Sequence, residues 1–128
     1  AVSEYTYNSR GQRTVVRNKI REDVWQETGY TYSPCGNIIK VAVSADENGC
    51  GRKYAFTTYT YDGNGNITGI QLPSGDEIHR EYDLCDRITA EHYREKNGGI
   101  DNRITYHYDK NGNLTEVRSG RLYHYDVL

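Results

Sequence analysis

Aromatic and polar residues alternate along much of this chain, and short clusters of glycine, asparagine and aspartate interrupt the alternation. The segments Tyr5–Tyr7, Tyr30–Tyr32, Tyr59–Tyr61 and Tyr106–Tyr108 each read Tyr-x-Tyr. Because successive side chains of a β-strand point to opposite faces, the two rings of such a segment lie on one face. The pattern predicts short antiparallel strands joined by tight turns.

One ten-residue stretch occurs twice in nearly the same form: Tyr59–Thr68 reads YTYDGNGNIT and Tyr106–Thr115 reads YHYDKNGNLT. Weaker or incomplete copies begin at four further tyrosines, namely Tyr5, Tyr30, Tyr82 and Tyr123. The repeat is therefore roughly two dozen residues long, with variable spacers. We predict that residues 1–128 are tandem repeats, about five copies plus a truncated sixth, from a larger protein.

Each copy contains the ingredients of a hairpin turn. The aspartate after the second tyrosine can accept hydrogen bonds from backbone N–H groups that follow it. Gly65 and Gly112 are then expected at positive φ, which glycine adopts without steric cost. A second set of turns is predicted between the copies, at Asp46–Gly49, Pro73–Asp76, Lys96–Gly99 and Ser119–Gly120. Two turns per copy predict an all-β antiparallel meander of roughly ten strands.

Apolar residues after the turns recur at a spacing of three, which strict alternation does not produce. The pairs are Ile38 and Val41, Ile67 and Ile70, and Leu114 and Val117. A β-bulge would explain the spacing, and so would a sheet partly covered on both faces. A helix is the remaining alternative, but Gly69 and the β-branched residues around it disfavour one.

Composition adds one point about packing and several about function. The chain has 13 Tyr but one Phe and one Trp, and 35% of it is hydrophobic. Tyrosine has an apolar ring and a polar tip, so these residues suit half-buried sheet surfaces. The net charge is −2 with mixed signs, which argues against nucleic-acid binding and electrostatic membrane attachment. No apolar stretch is long enough to suggest membrane insertion.

The two strong copies, Tyr59–Thr68 and Tyr106–Thr115, resemble YD repeats, the unit of Rhs proteins, insecticidal toxin-complex proteins and teneurins. This resemblance implies a β-sheet that spirals into a hollow shell, which encloses a toxic C-terminal segment in bacterial members and serves extracellular adhesion in teneurins. Asn8 and Ser33 depart from the motif at the aspartate position, and Asp86 departs at the glycine position.

The expected function is therefore structural: a section of the shell of an Rhs-type bacterial protein, secreted or at the cell surface, that encloses or presents a C-terminal effector. The motif residues with structural roles would be Tyr59, Tyr61, Asp62, Gly65, Asn66, Tyr106, Tyr108, Asp109, Gly112 and Asn113. The alternative is a carbohydrate-binding or adhesion module, in which sugars stack on four exposed rings: Tyr59, Tyr61, Tyr106 and Tyr108.

The expected partners follow from these two functions. They are the neighbouring repeats and the effector of the same polypeptide, or glycans and cell-surface proteins. We also expect either self-association through edge strands or poorly ordered terminal repeats, since Tyr123–Tyr125 would expose apolar rings beside unpaired backbone groups.

Catalytic, cofactor and metal chemistry are not expected. No nucleophile–base set can be assembled from the spacing of the histidines. Asp62, Asn64 and Asn66 alternate like the start of a calcium loop, but turn formation explains the same residues. The three cysteines, Cys35, Cys50 and Cys85, match no zinc signature, and one disulfide stays open as an alternative to incidental thiols. Asn66 and Asn113 lie in glycosylation sequons that arise automatically from the repeat.

Overall fold

A computed structural model describes residues 2–45 and 53–122, which form ten β-strands and no helix. The chain divides into two compact units, 1–58 and 59–128. The first unit contains β1 (Ser3–Tyr7), β2 (Arg13–Arg21), β3 (Val24–Tyr32), β4 (Ile38–Ala45) and the first part of β5 (Lys53–Tyr61). The second unit contains the end of β5, β6 (Ile67–Gln71), β7 (Glu77–Tyr82), β8 (Ile88–Arg94), β9 (Asp101–Tyr108) and β10 (Leu114–Leu122).

Within each unit the strands pair in the order in which they occur along the chain. In the first unit β1 through β5 pair antiparallel, each with the next. In the second unit β6 through β10 do the same. The predicted all-β antiparallel meander is therefore confirmed. The predicted turn at 46–49, Cys50 and the copy that begins at Tyr123 lie outside the described residues.

Six turns share one backbone geometry, and five of them follow the second tyrosine of a copy. The first residue of each turn donates its N–H to the carbonyl of the fifth, and the fourth donates to the carbonyl of the first. The five turns that follow a motif tyrosine are 8–12, 33–37, 62–66, 83–87 and 109–113, and the sixth is 72–76. Gly65 has φ 86° and Gly112 has φ 84°, as predicted. The geometry is that of a three-residue hairpin loop. The fourth of the five turn residues has a left-handed backbone conformation, which glycine adopts most easily.

A β-bulge follows the turn and explains the spacing of three. Leu114 lies opposite Tyr108 and Val117 lies opposite Tyr106, so the strand gains one extra residue at Thr115. The same shift occurs in the other copies whose pairing is described, at β1–β2, β3–β4 and β7–β8. The bulge brings both apolar residues to the face that carries the tyrosine rings, and the bulge alternative is confirmed.

The opposite ends of the strands agree only partly with the sequence analysis. Turns form at 72–76 and 95–100, which contain the predicted clusters Pro73–Asp76 and Lys96–Gly99. The turn predicted at Ser119–Gly120 is wrong, because both residues lie inside β10 opposite Ile104 and Arg103. The reversal between β2 and β3 was not predicted, since Glu22-Asp23 contains neither glycine nor proline, and Asp23 adopts φ 60° there.

The described residues of the two units do not form a conventional hydrophobic core. Among the described residues the buried apolar side chains are Val24 in the first unit and Ala90 in the second. Most strand residues are half-buried, which is the environment that tyrosine suits. No helix in the described part of the chain could cross a membrane.

Candidate functional site

The turn aspartates each bind the backbone of their own turn. Asp109 Oδ1 accepts hydrogen bonds from the N–H groups of Asn111 (2.9 Å) and Asn113 (2.8 Å), and its Oδ2 accepts from the Asn113 amide. Asp62 makes the same contacts in its turn. The backbone N–H of the fifth turn residue is the main reason that the pKa of each carboxyl lies below its usual value.

The two copies that lack the aspartate keep this contact with other side chains. Asn8 Oδ1 accepts from the backbone N–H groups of Arg10 (2.9 Å) and Gln12 (3.0 Å). Ser33 Oγ accepts from the backbone N–H of Asn37 at 3.2 Å. The turn therefore requires a short side chain with an acceptor oxygen at this position, and a carboxylate is one of several that serve.

The second tyrosine of a copy bonds to the backbone of the preceding copy. Its hydroxyl donates at 2.7 Å to the carbonyl of the first residue after the preceding turn. The observed pairs are Tyr32 with Arg13, Tyr82 with Ile67 and Tyr108 with Ile88. The sequence analysis missed this contact. Its sequence signal is the constant place of the second tyrosine, next to the turn.

Asp86, which replaces the motif glycine, joins its turn to the preceding one. It adopts φ 62°, and its Oδ1 accepts hydrogen bonds from Asn64 Nδ2 (3.1 Å) and Asn66 Nδ2 (2.8 Å). Aspartate tolerates the left-handed region better than most residues. This departure from the repeat pattern therefore creates a contact between copies.

The next residue, Arg87, also contacts two copies. Its Nε lies 2.8 Å from Asp83 Oδ2 in the same turn, and its guanidinium lies 4.5 Å from the ring centre of Tyr108 in the following copy. A guanidinium over an aromatic ring is attracted by the π electrons. The backbone N–H of Arg87 is the main cause of the lowered pKa of Asp83.

The four rings predicted to stack on glycans are half-buried: Tyr59, Tyr61, Tyr106 and Tyr108. Burial first, and the nearby Tyr59 second, raise the pKa of Tyr61. Among the described residues the more exposed aromatic rings are Tyr5, Tyr7, Tyr54 and Phe56, at 44–54% exposure. Whether any of these rings binds sugar stays a prediction.

Tyr54 and Phe56 form the most regular exposed aromatic pair in the first unit. Their ring centres are 6.1 Å apart and their planes differ by 16°. The Lys40 ammonium lies 4.1 Å from the centre of the Phe56 ring.

The remaining polar candidates do not converge on a site. No group of three His, Cys, Asp or Glu residues in the described ranges has metal-binding geometry. Asn64 and Asn66, considered for calcium, present their amide hydrogens to carboxylates. Cys35 and Cys85 are exposed free thiols at the third position of their turns. His92 contacts the buried Asp101 in the neighbouring strand.

Comparison with known proteins agrees with this geometry. No curated protein sequence matches the chain. A family model described as Teneurin YD-shell matches residues 2–128. This family is a structural shell repeat. Since the match covers nearly the whole chain, the chain belongs to the Teneurin YD-shell family and is a repeat segment of a structural β-shell.

Proposed function

We propose that this chain is a section of the wall of an Rhs-type bacterial shell, secreted or at the cell surface, which encloses or presents a C-terminal effector of the same polypeptide. The observation that carries the proposal is the tyrosine contact between copies. Tyr82 and Tyr108 each tie a hairpin to the one before it through backbone carbonyls. Such contacts join successive hairpins into a continuous wall, and they do not depend on which residues form the turns.

The lack of a core supports the same function. Each unit gains little from its own buried apolar side chains, since Val24 and Ala90 are the ones buried in the described residues. In a repeat protein stability comes from contacts between neighbours, so each repeat needs the next. A shell wall that encloses an effector can be built from such a thin sheet, because neighbouring repeats stabilise one another.

The test uses the full-length polypeptide and limited proteolysis. We expect the proposed C-terminal effector segment to resist protease in the intact protein and to be digested rapidly when expressed alone. The double variant Tyr82→Phe/Tyr108→Phe should weaken the wall and speed digestion. Tyr106→Phe is the matched control, because the described residues offer its hydroxyl no hydrogen-bond partner. Equal digestion of the enclosed and isolated segments would show that the shell holds no effector.

An adhesion or carbohydrate-binding role is the second candidate, and the exposed pair Tyr54 and Phe56 favours it. Sugar rings pack their C–H faces on exposed aromatic rings. Binding of the chain to a panel of immobilised glycans tests this role. Loss of binding in Phe56→Ala but not in Phe56→Tyr would support it, whereas unchanged binding in both variants would remove this pair from consideration.

A further inference from the structure

Two turns of the second unit contain an Asn-Gly pair in the same backbone geometry. Asn64-Gly65 and Asn111-Gly112 each occupy the third and fourth positions of their turn. The two glycines have φ 86° and 84°, and their N–H groups donate to the carbonyl of the first turn residue at 3.2 Å and 3.1 Å. Because the backbones match, any difference in reactivity between the two pairs comes from the surrounding side chains.

An asparagine that precedes glycine can lose its side-chain nitrogen to water without an enzyme. The backbone nitrogen of the glycine attacks the asparagine Cγ, and the new C–N bond closes a succinimide ring. The Cγ–Nδ2 bond breaks, and the NH₂ group leaves as ammonia with the proton of the glycine N–H. Water then adds to either ring carbonyl and gives aspartate or isoaspartate. Glycine permits the attack because it has no Cβ atom to crowd the ring.

The amide of Asn64 is held by a carboxylate of the next copy. Its Nδ2 donates to Asp86 Oδ1 at 3.1 Å. This bond must break before the nitrogen can leave as ammonia. The carboxylate also repels the negative charge that develops on the attacking nitrogen and on the attacked carbonyl oxygen. Asp86 therefore opposes the reaction at Asn64 in two ways.

The amide of Asn111 is exposed, and its NH₂ group has no acceptor in the described part of the chain. A cation takes the place of the carboxylate here. Arg87 Nη1 lies 3.3 Å from the place that a Cβ atom on Gly112 would take, whereas the same place on Gly65 has no atom of a more distant residue within 4 Å. A positive charge beside the glycine stabilises the developing negative charge. Both differences favour reaction at Asn111.

We propose that Asn111 is a site of spontaneous deamidation and that the contact with Asp86 protects the equivalent Asn64. The product has a new carboxylate in the turn that Asp109 caps through the backbone N–H of residue 111. Isoaspartate also lengthens the backbone of this turn by one methylene group, so the hairpin of β9 and β10 is weakened. The reaction needs only water, and it does not depend on any enclosed effector.

The test is a time course of the full chain in mildly alkaline buffer, with digestion by pepsin in acid and mass spectrometry of the peptides. We expect Asn111 to deamidate more than about tenfold faster than Asn64, since one charge-assisted hydrogen bond alone is worth about that factor in rate. In concentrated urea the two sites should react at similar rates, because both asparagines precede glycine and the folded contacts are gone.

Two variants separate the two causes. Asp86→Gly restores the residue of the repeat motif and should speed the reaction at Asn64 at least about tenfold. Arg87→Gln should slow Asn111 and leave Asn64 unchanged, and the rate at Asn64 also reports any unfolding of this variant. Arg94→Gln removes a positive charge at the other end of β8 and should change neither rate.

Three results would overturn the proposal. The first is equal rates at the two asparagines in the folded wild type. The second is a difference in rate that persists in urea, since local sequence and not the fold would then cause it. The third is an unchanged rate at Asn64 in the Asp86→Gly variant. If that variant fails to fold, the wild-type rates with and without urea decide the result.

Discussion

The hydroxyl of Tyr108 donates a hydrogen bond to the backbone carbonyl of Ile88 at 2.7 Å, across 20 residues of chain. Ile88 is the first residue after one repeat turn, and Tyr108 is the last strand residue before the next. The motif tyrosine therefore bonds to the backbone of the preceding copy and not to a side chain. Because every residue has a carbonyl, this contact survives sequence variation between copies.

We predict that Tyr108→Phe destabilises the second unit by about 1 kcal/mol, the net value of one such hydrogen bond. The ring and its packing remain, so the change isolates the hydroxyl. Thermal unfolding followed by circular dichroism measures the loss. Tyr106→Phe is the control and should unfold within a degree or so of the wild type. Equal midpoints for both variants would mean that the hydroxyl contact contributes nothing.

The two glycines of turn 62–66 should respond differently to substitution. Gly65 has φ 86°, so Gly65→Val forces a branched side chain into the left-handed region at a cost of about 1–3 kcal/mol. A Cβ atom on Gly63 meets no atom within 4 Å, and Gly63→Val should be much milder. Gly112→Val should match Gly65→Val. Chemical denaturation gives the free energies, and similar losses at Gly63 and Gly65 would contradict the turn geometry.

Acid should weaken the turns in a defined direction. The pKa values of Asp62, Asp83 and Asp109 are lowered in the folded chain, mainly by backbone N–H donors. The unfolded chain therefore binds protons more readily. The contribution of these groups is complete above the unfolded pKa of about 3.9 and is lost as pH falls through the lowered values.

The Asp109→Asn variant tests this linkage. Asparagine already serves at the same position in the first turn, where Asn8 caps its own backbone. The variant should keep its turn and should lose less stability between neutral pH and pH of about 2 than the wild type. Melting temperatures measured across this range give the comparison. Parallel curves for the two proteins would show that the Asp109 carboxylate carries no acid sensitivity.

Asp86 combines backbone strain with two hydrogen bonds, and two variants separate them. Asp86→Ala loses the bonds from Asn64 and Asn66 and keeps the left-handed backbone, whereas Asp86→Gly loses the bonds and removes the strain. We expect the wild type to be most stable, the glycine variant next and the alanine variant least. An alanine variant as stable as the wild type would exclude a role for the contact between turns.

Chelation should leave the protein unchanged. The Asp62 carboxylate is already bound by backbone N–H groups and by the Asn66 amide, so its oxygens have internal partners. We expect EDTA to leave the melting temperature unaltered and the purified chain to carry no stoichiometric metal. A fall in melting temperature that calcium reverses would restore calcium binding at Asp62 and its neighbours.

Local sequence was enough to predict the strands and the five shared turns. Asp62-Gly63-Asn64-Gly65 specifies its own turn, because the aspartate bonds to N–H groups within four residues and glycine adopts positive φ without help. The spacing of three between Leu114 and Val117 allowed a bulge as one of several explanations, and the pairing of β9 with β10 shows that bulge. Two reversals were misjudged: Ser119–Gly120 lies within β10, and Glu22-Asp23 forms a turn without typical turn residues.

The contacts between copies were decided only by the tertiary structure. The partner of Tyr108 is a backbone carbonyl 20 residues away, and a carbonyl has no sequence signature. Asp86 departs from the repeat pattern at the glycine position, yet its carboxylate joins two turns through Asn64 and Asn66. Local turns follow from neighbouring residues, whereas these pairings depend on strand length and bulge register, which are fixed when successive hairpins pair.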